Sequence, residues 1–138
     1  MSKPVDIPKN EAIRESEDKD ENPKLAKLFE NEAVKDFGIA LRDALNIGND
    51  YSSLVELEYS ETPEQFVEVI KRFLRRYRTI VNRNKDRYKF LRIPKEKNLV
   101  ELHKLVDKYG VKLVRSALIS YALVEREYPS KKGGDKNE

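Results

Sequence analysis

The chain has no cysteine and no tryptophan, and only one histidine and one methionine among its 138 residues. Without cysteine there is no disulfide framework, no thiol nucleophile and no thiolate metal site. The lone histidine, His103, has no second His or Cys with which to share a metal, so it reads as an edge residue beside an apolar helical stripe. The five glycines form no phosphate-cradling loop, and neither a nucleophile elbow nor a paired-carboxylate site is recognisable. Apolar runs stay well short of 18 residues and the N-terminus lacks a signal-peptide pattern, so a soluble, cytoplasmic protein with no membrane partner is expected. Together these absences predict a protein that is not an enzyme, with no catalytic residue, metal, cofactor or small-molecule substrate.

Charge is what the chain has in quantity: Asp, Glu, Lys and Arg make up 38% of it. With abundant Glu, Lys, Arg, Val and Tyr and a single Gln (Gln65), the composition resembles that of a hyperthermophile protein. The charge is also sorted. Lys71, Arg72, Arg75, Arg76, Arg78, Arg83, Lys85, Arg87, Lys89 and Arg92 face one acid, Asp86, so this segment is +9 while the whole chain is +3. A one-sided positive field of this kind most commonly meets polyphosphate. The predominance of Arg over Lys favours planar, bidentate phosphate contact.

At this length the chain is one domain plus tails. Residues 1–22 carry seven acids and four bases with few large apolar side chains, and read as a disordered acidic arm. Residues 23–129 read as a helical domain and 130–138 as a flexible tail. Within the domain the fold class is all-α, a small bundle of four to five helices. From Leu25 to Leu45 the apolar positions step by three and four along one face, and Gly48 punctuates the pattern. Tyr51–Leu57 fits one or two helical turns. Thr62, Pro63 and Gln65 form a strong helix start. The helix that follows sets Phe66, Val69, Ile70, Phe73, Leu74, Tyr77, Ile80 and Val81 on one side, opposite Lys71, Arg72, Arg75, Arg76 and Arg78. Arg83 to Lys97 reads as an extended connector closed by Pro94. Asn98 is expected to cap a further helix that Gly110 terminates in a left-handed conformation. A last helix from Val111 to about Tyr128, apolar at ten of the fourteen positions from Val111 to Val124, should be the most buried element, with Pro129 stopping it.

Two readings of the basic helix stand side by side. Arg75, Arg76 and Arg78 have no acid within four residues, so local pairing cannot neutralise them. Acids on other helices can, because Leu25 to Ile70 holds ten acids against three bases. The connector invites two readings as well. Tyr88 and Phe90 among bases suit single strands, where cations track the backbone and rings stack on bases; equally, the rings can tuck into the core. Glu56, Glu58, Glu61 and Glu64 form an acidic cluster, read as solvated surface or as a lure for a basic partner. The Leu102–Gly110 helix followed by Val111 onward matches a helix-turn-helix in outline. Its second helix opens Val111-Lys112-Leu113-Val114 and is too apolar for a recognition helix, so a buried hairpin fits better. That hairpin also resembles the one in DnaD-type replication proteins.

Ala33–Arg42, Thr62–Phe66 leading into the Arg-rich helix, Pro94, and the Tyr109-Gly110 hairpin through Leu123 together resemble the small helical subunit of archaeal CRISPR effector complexes. The likeness also extends to the helical C-terminal region of their large subunits. It implies antiviral defence, partner subunits in a larger ribonucleoprotein, and a basic surface that holds single-stranded RNA or DNA. The positions expected to bind nucleic acid are therefore Lys71, Arg72, Arg75, Arg76, Arg78, Arg83, Lys85, Arg87, Tyr88, Lys89 and Arg92. Two alternatives remain: an interaction module whose Arg face meets an acidic partner, and a plasmid or viral duplex-DNA-binding replication or transcription factor.

Overall fold

In the structure, a computed structural model that describes residues 23–124 and Tyr128, the apolar stripe from Leu25 to Leu45 is carried by two helices rather than one. Helix α1 spans residues 23–30 and α2 spans Glu32–Gly48. The break is at Asn31, whose Oδ1 accepts from Ala33 N at 2.8 Å and Val34 N at 3.2 Å. That cap satisfies amides that a continuous helix would bond to preceding carbonyls. Four more helices follow: α3 Tyr51–Tyr59, α4 Pro63–Asn84, α5 Glu96–Tyr109 and α6 Val111–Leu123. The described residues form an all-α bundle of six helices with no strand, one more than the upper expectation. The extra helix is the one Asn31 divides off. The acidic arm expected over 1–22 and the tail expected over 130–138 lie outside the described residues, as does Pro129.

Helix α2 is the hub, in contact with α3, α4, α5 and α6. It buries Ala33, Val34, Phe37, Ala40, Leu41 and Ala44, and α6 packs directly on it at Gly38. A Cβ on Gly38 would sit 2.5 Å from Tyr121 Cβ, so only a hydrogen there permits the crossing. Across the same contact the Tyr121 hydroxyl donates to the Phe29 carbonyl at 2.8 Å, tying α1 to α6. Burial pushes the Tyr121 phenol above its ordinary value, while the charge of Arg42 pulls it the other way. Phe66, Phe73 and Tyr77 of α4 complete the core, with Phe73 and Tyr77 stacked at 5.4 Å. Each such ring contributes about 1.5–3 kcal/mol by leaving water.

Helix α4 begins as its sequence predicts. The Thr62 hydroxyl accepts from Gln65 N, Gln65 Oε1 accepts from Thr62 N, and Pro63 occupies the first turn. Helix α5 does not. It starts at Glu96 with Lys95 as its cap, and Asn98 lies inside its first turn. There Asn98 Nδ2 donates to Asp36 Oδ2 at 2.7 Å, and Lys95 N donates to the same oxygen at 3.0 Å. A tertiary acceptor on α2 takes the place of a local cap, which the residue order around Asn98 could not disclose. Gly110 ends α5 at φ 94°, ψ 154°: positive φ that favours glycine, but extended rather than left-handed helical.

Helix α6 ends at Leu123, with Val124 extended, so it is shorter than expected among the described residues. It is not the most buried element, since α2 covers more of its length. Its apolar residues surround the helix, whereas α2, α3 and α5 cover part of it, and Leu123 and Val124 are mostly exposed. Its opening residues Val111 and Val114 are buried, which fits the hairpin and not a recognition helix.

Candidate nucleic-acid interface

Helix α4 turns about 100° per residue, so its basic positions fall into two rows. Lys71, Arg75 and Arg78 share the face opposite the core and are exposed. Arg72 and Arg76 are displaced toward α3, and there the structure uses them internally. Arg76 Nη2 donates to Ser53 Oγ at 2.7 Å and to Glu56 Oε1 at 3.3 Å, and its Nε lies 3.6 Å from Asp50 Oδ2. Arg72 Nε donates to the same Glu56 oxygen at 3.5 Å. Asp50 is held in turn as the cap of α3: it accepts from Ser53 N at 3.1 Å and from Ser53 Oγ at 2.6 Å. Only 8% of Asp50 is exposed, so Arg76 offsets the cost of a nearly buried carboxylate. Arg72 and Arg76 therefore fasten α3 to α4, the outcome in which acids from another helix neutralise the arginines.

The remaining expected positions are placed as follows. Arg83 is exposed in the last turn of α4 and Lys85, also exposed, is its C-cap. After it the chain passes through irregular turns to Lys95, without strand. Leu91 and Pro94 are buried and pin the connector down, while Arg87, Lys89 and Arg92 point to solvent. The Arg87 guanidinium lies 5.6 Å from the ring of Tyr88. Lys71, Arg75, Arg78, Arg83, Lys85, Arg87, Lys89 and Arg92 make no ion pair or side-chain hydrogen bond among the described residues.

Tyr88 has a different setting. Its ring is half-buried, edge-on to Phe90 at 5.7 Å and to Tyr128 at 6.5 Å, and Phe90 stacks on Tyr128 at 6.0 Å. The Tyr128 hydroxyl donates to Asp43 Oδ1 at 2.8 Å, which carries the cluster onto α2. Both connector rings thus pack against the protein, the second of the two readings. Sequence reasoning missed Asp50, Ser53 and Tyr128 as the anchors of this surface. Asp50 followed by Ser53 has the spacing of an N-cap, which was a visible signal; Tyr128, 38 residues from Phe90, offered none.

His103 is exposed on α5, and among the described residues there is no cluster of His, Cys, Asp or Glu suited to a metal ion. No helix there is long and apolar enough to cross a membrane. What the surface can do chemically is hold anions: eight cations, unpaired among the described residues, on one helix face and the loop after it, backed by a packed core.

Comparison with known proteins finds neither a matching family model nor a matching solved structure. It does find a relative, an uncharacterized protein of Archaeoglobus fulgidus, 62% identical over 104 residues that cover 75% of this chain and 86% of the relative. At that identity and coverage, this chain belongs to the same family as the Archaeoglobus fulgidus protein.

Proposed function

We propose that this protein is a non-catalytic nucleic-acid-binding subunit that holds single-stranded backbone on the outer face of α4 and the connector. One observation carries the reading: eight cations there are exposed and make no ion pair among the described residues, while the two neighbouring arginines are neutralised within the fold. Lys71, Arg75 and Arg78 rise along α4 at about 6 Å and 4.5 Å steps, an arrangement that can follow successive phosphates. Arg83, Lys85, Arg87, Lys89 and Arg92 continue the track. Affinity comes from counterion release and falls steeply with salt. The rings of Tyr88 and Phe90 support the loop that displays these bases, so base stacking is a minor contributor.

The further expectation of a CRISPR effector-type ribonucleoprotein with other subunits rests on the sequence resemblance alone. Inspection of neighbouring genes tests it, since partner subunits should be encoded alongside. The binding reading is tested by fluorescence anisotropy with labelled single-stranded and duplex oligonucleotides over a salt series. Tighter binding of single strands, with a steep salt slope, is expected. No retention of either at low salt contradicts the reading, and a clear duplex preference replaces it with the duplex-DNA-binding alternative.

A further inference from the structure

The exposed face of α4 is not basic along its whole length. Following the heptad-like step of four and three residues, it runs Glu64, Glu68, Lys71, Arg75, Arg78, all exposed. The acids occupy the first half and the arginines the second. Turning the helix end over end about position 71 brings Glu64 onto Arg78, and Glu68 onto Arg75 within one residue. The stripe is charge-complementary to itself in antiparallel orientation.

Beside the stripe, on α3, lies an apolar surface that no described residue covers. Tyr51, Val55 and Tyr59 repeat every fourth residue on α3 and are 63%, 53% and 75% exposed. Tyr59 also lines a groove of about 460 Å³ between α3 and α4, together with Glu64, Glu68 and Val69. Singly exposed apolar residues need no explanation, but a helical row of two tyrosines and a valine ending in a groove is, among the described residues, an unpartnered face.

We infer that the occupant of this face is a second copy of the chain, paired through an antiparallel α4–α4 contact with two-fold symmetry. Because acids and arginines share one face of one helix, a two-fold axis near Lys71 pairs both acids with both arginines at once and closes the assembly at two copies. Glu64 and Glu68 of each copy meet Arg78 and Arg75 of the other. Charges fix orientation and register, and the α3 rows, carried to the same side of the seam by the symmetry, supply apolar area. Lys71 lies at the axis opposite its own copy, the one unfavourable contact, and weakens the pair. This goes beyond the nucleic-acid reading and shares Arg75 and Arg78 with it, so a bound single strand and a second copy compete for those two side chains. The connector bases remain open in both states.

Analytical ultracentrifugation of the full-length protein, without nucleic acid, tests the inference independently of that reading. At low ionic strength a monomer–dimer equilibrium is expected, weakening as salt rises. E64R/E68R and R75E/R78E should each be monomeric, having one sign of charge along the stripe, with the dissociation constant raised roughly tenfold or more. Mixed one to one, the two variants should form a heterodimer, and the fourfold variant with both swaps should regain the homodimer. Lys71→Gln should tighten the pair. Circular dichroism confirms that each variant is folded; Glu64→Gln/Glu68→Gln, milder at the first turn of α4, replaces the first double variant if it is not. A wild-type protein that sediments as a monomer at every salt concentration overturns the inference. So does a dimer that ignores the charge swaps or strengthens with salt.

Discussion

Helix α4 carries two rows of cations alike in chemistry and unlike in their neighbours. Arg72 and Arg76 look toward α3 and find Glu56, Asp50 and Ser53; Lys71, Arg75 and Arg78, rotated by about 100°, are exposed and find no partner among the described residues. The first row is part of the architecture and the second is available for a partner. A +9 segment is therefore not one functional unit. Counting its charges overstates what it offers a phosphate, because the two guanidinium groups fixed in place are already neutralised.

Breaking the inner row should have the largest effect on stability. Arg72→Ala/Arg76→Ala removes a charged hydrogen bond to Ser53 and strands the nearly buried Asp50, at a cost of about 2–3 kcal/mol in urea unfolding. The contacts to Glu56 add little to that figure, because both arginines are more than a third exposed. Where the variant remains folded, its affinity for single strands should equal that of the wild type. The connector divides in the same manner, with Phe90 inside and its bases outside. Phe90→Ala should cost about 1–2 kcal/mol by unstacking Tyr128, with little effect on affinity at a temperature where the fold persists. The outer row should be the least sensitive in stability: Arg75→Ala/Arg78→Ala should shift unfolding by less than about 0.5 kcal/mol. An outer-row variant that unfolds as readily as the inner-row one would break the distinction.

Much of the fold was legible in the sequence because the decisive interactions are local. The capping box at Thr62–Gln65, the core stripe from Phe66 to Val81 and the glycine between α5 and α6 depend on residues within a few positions of one another. The misreadings share a cause of the opposite kind. Asn98 looked like a cap because nothing near it reveals Asp36, 62 residues away, as its acceptor. The apolar stripe ran unbroken across Asn31, hiding a helix boundary that a single side chain makes. For the site, the outer face of α4 was legible and the pairing of Arg72 and Arg76 was not, since their acids lie 16 to 26 residues earlier on a helix whose packing had to be known. The step from 71 to 75 to 78, set against 72 to 76, does place the two groups on different sides of the helix. Only the position of α3 decides which side is occupied.

The salt dependence of single-strand binding, measured in parallel for the wild type and the two double-alanine variants, tests the division most directly. Each phosphate contact contributes about 0.7 to the logarithmic slope for a single strand, so Arg75→Ala/Arg78→Ala should lower it by about 1.4. Arg72→Ala/Arg76→Ala should leave the slope unchanged. Equal losses in both variants, or a larger loss from the inner row, would contradict the account.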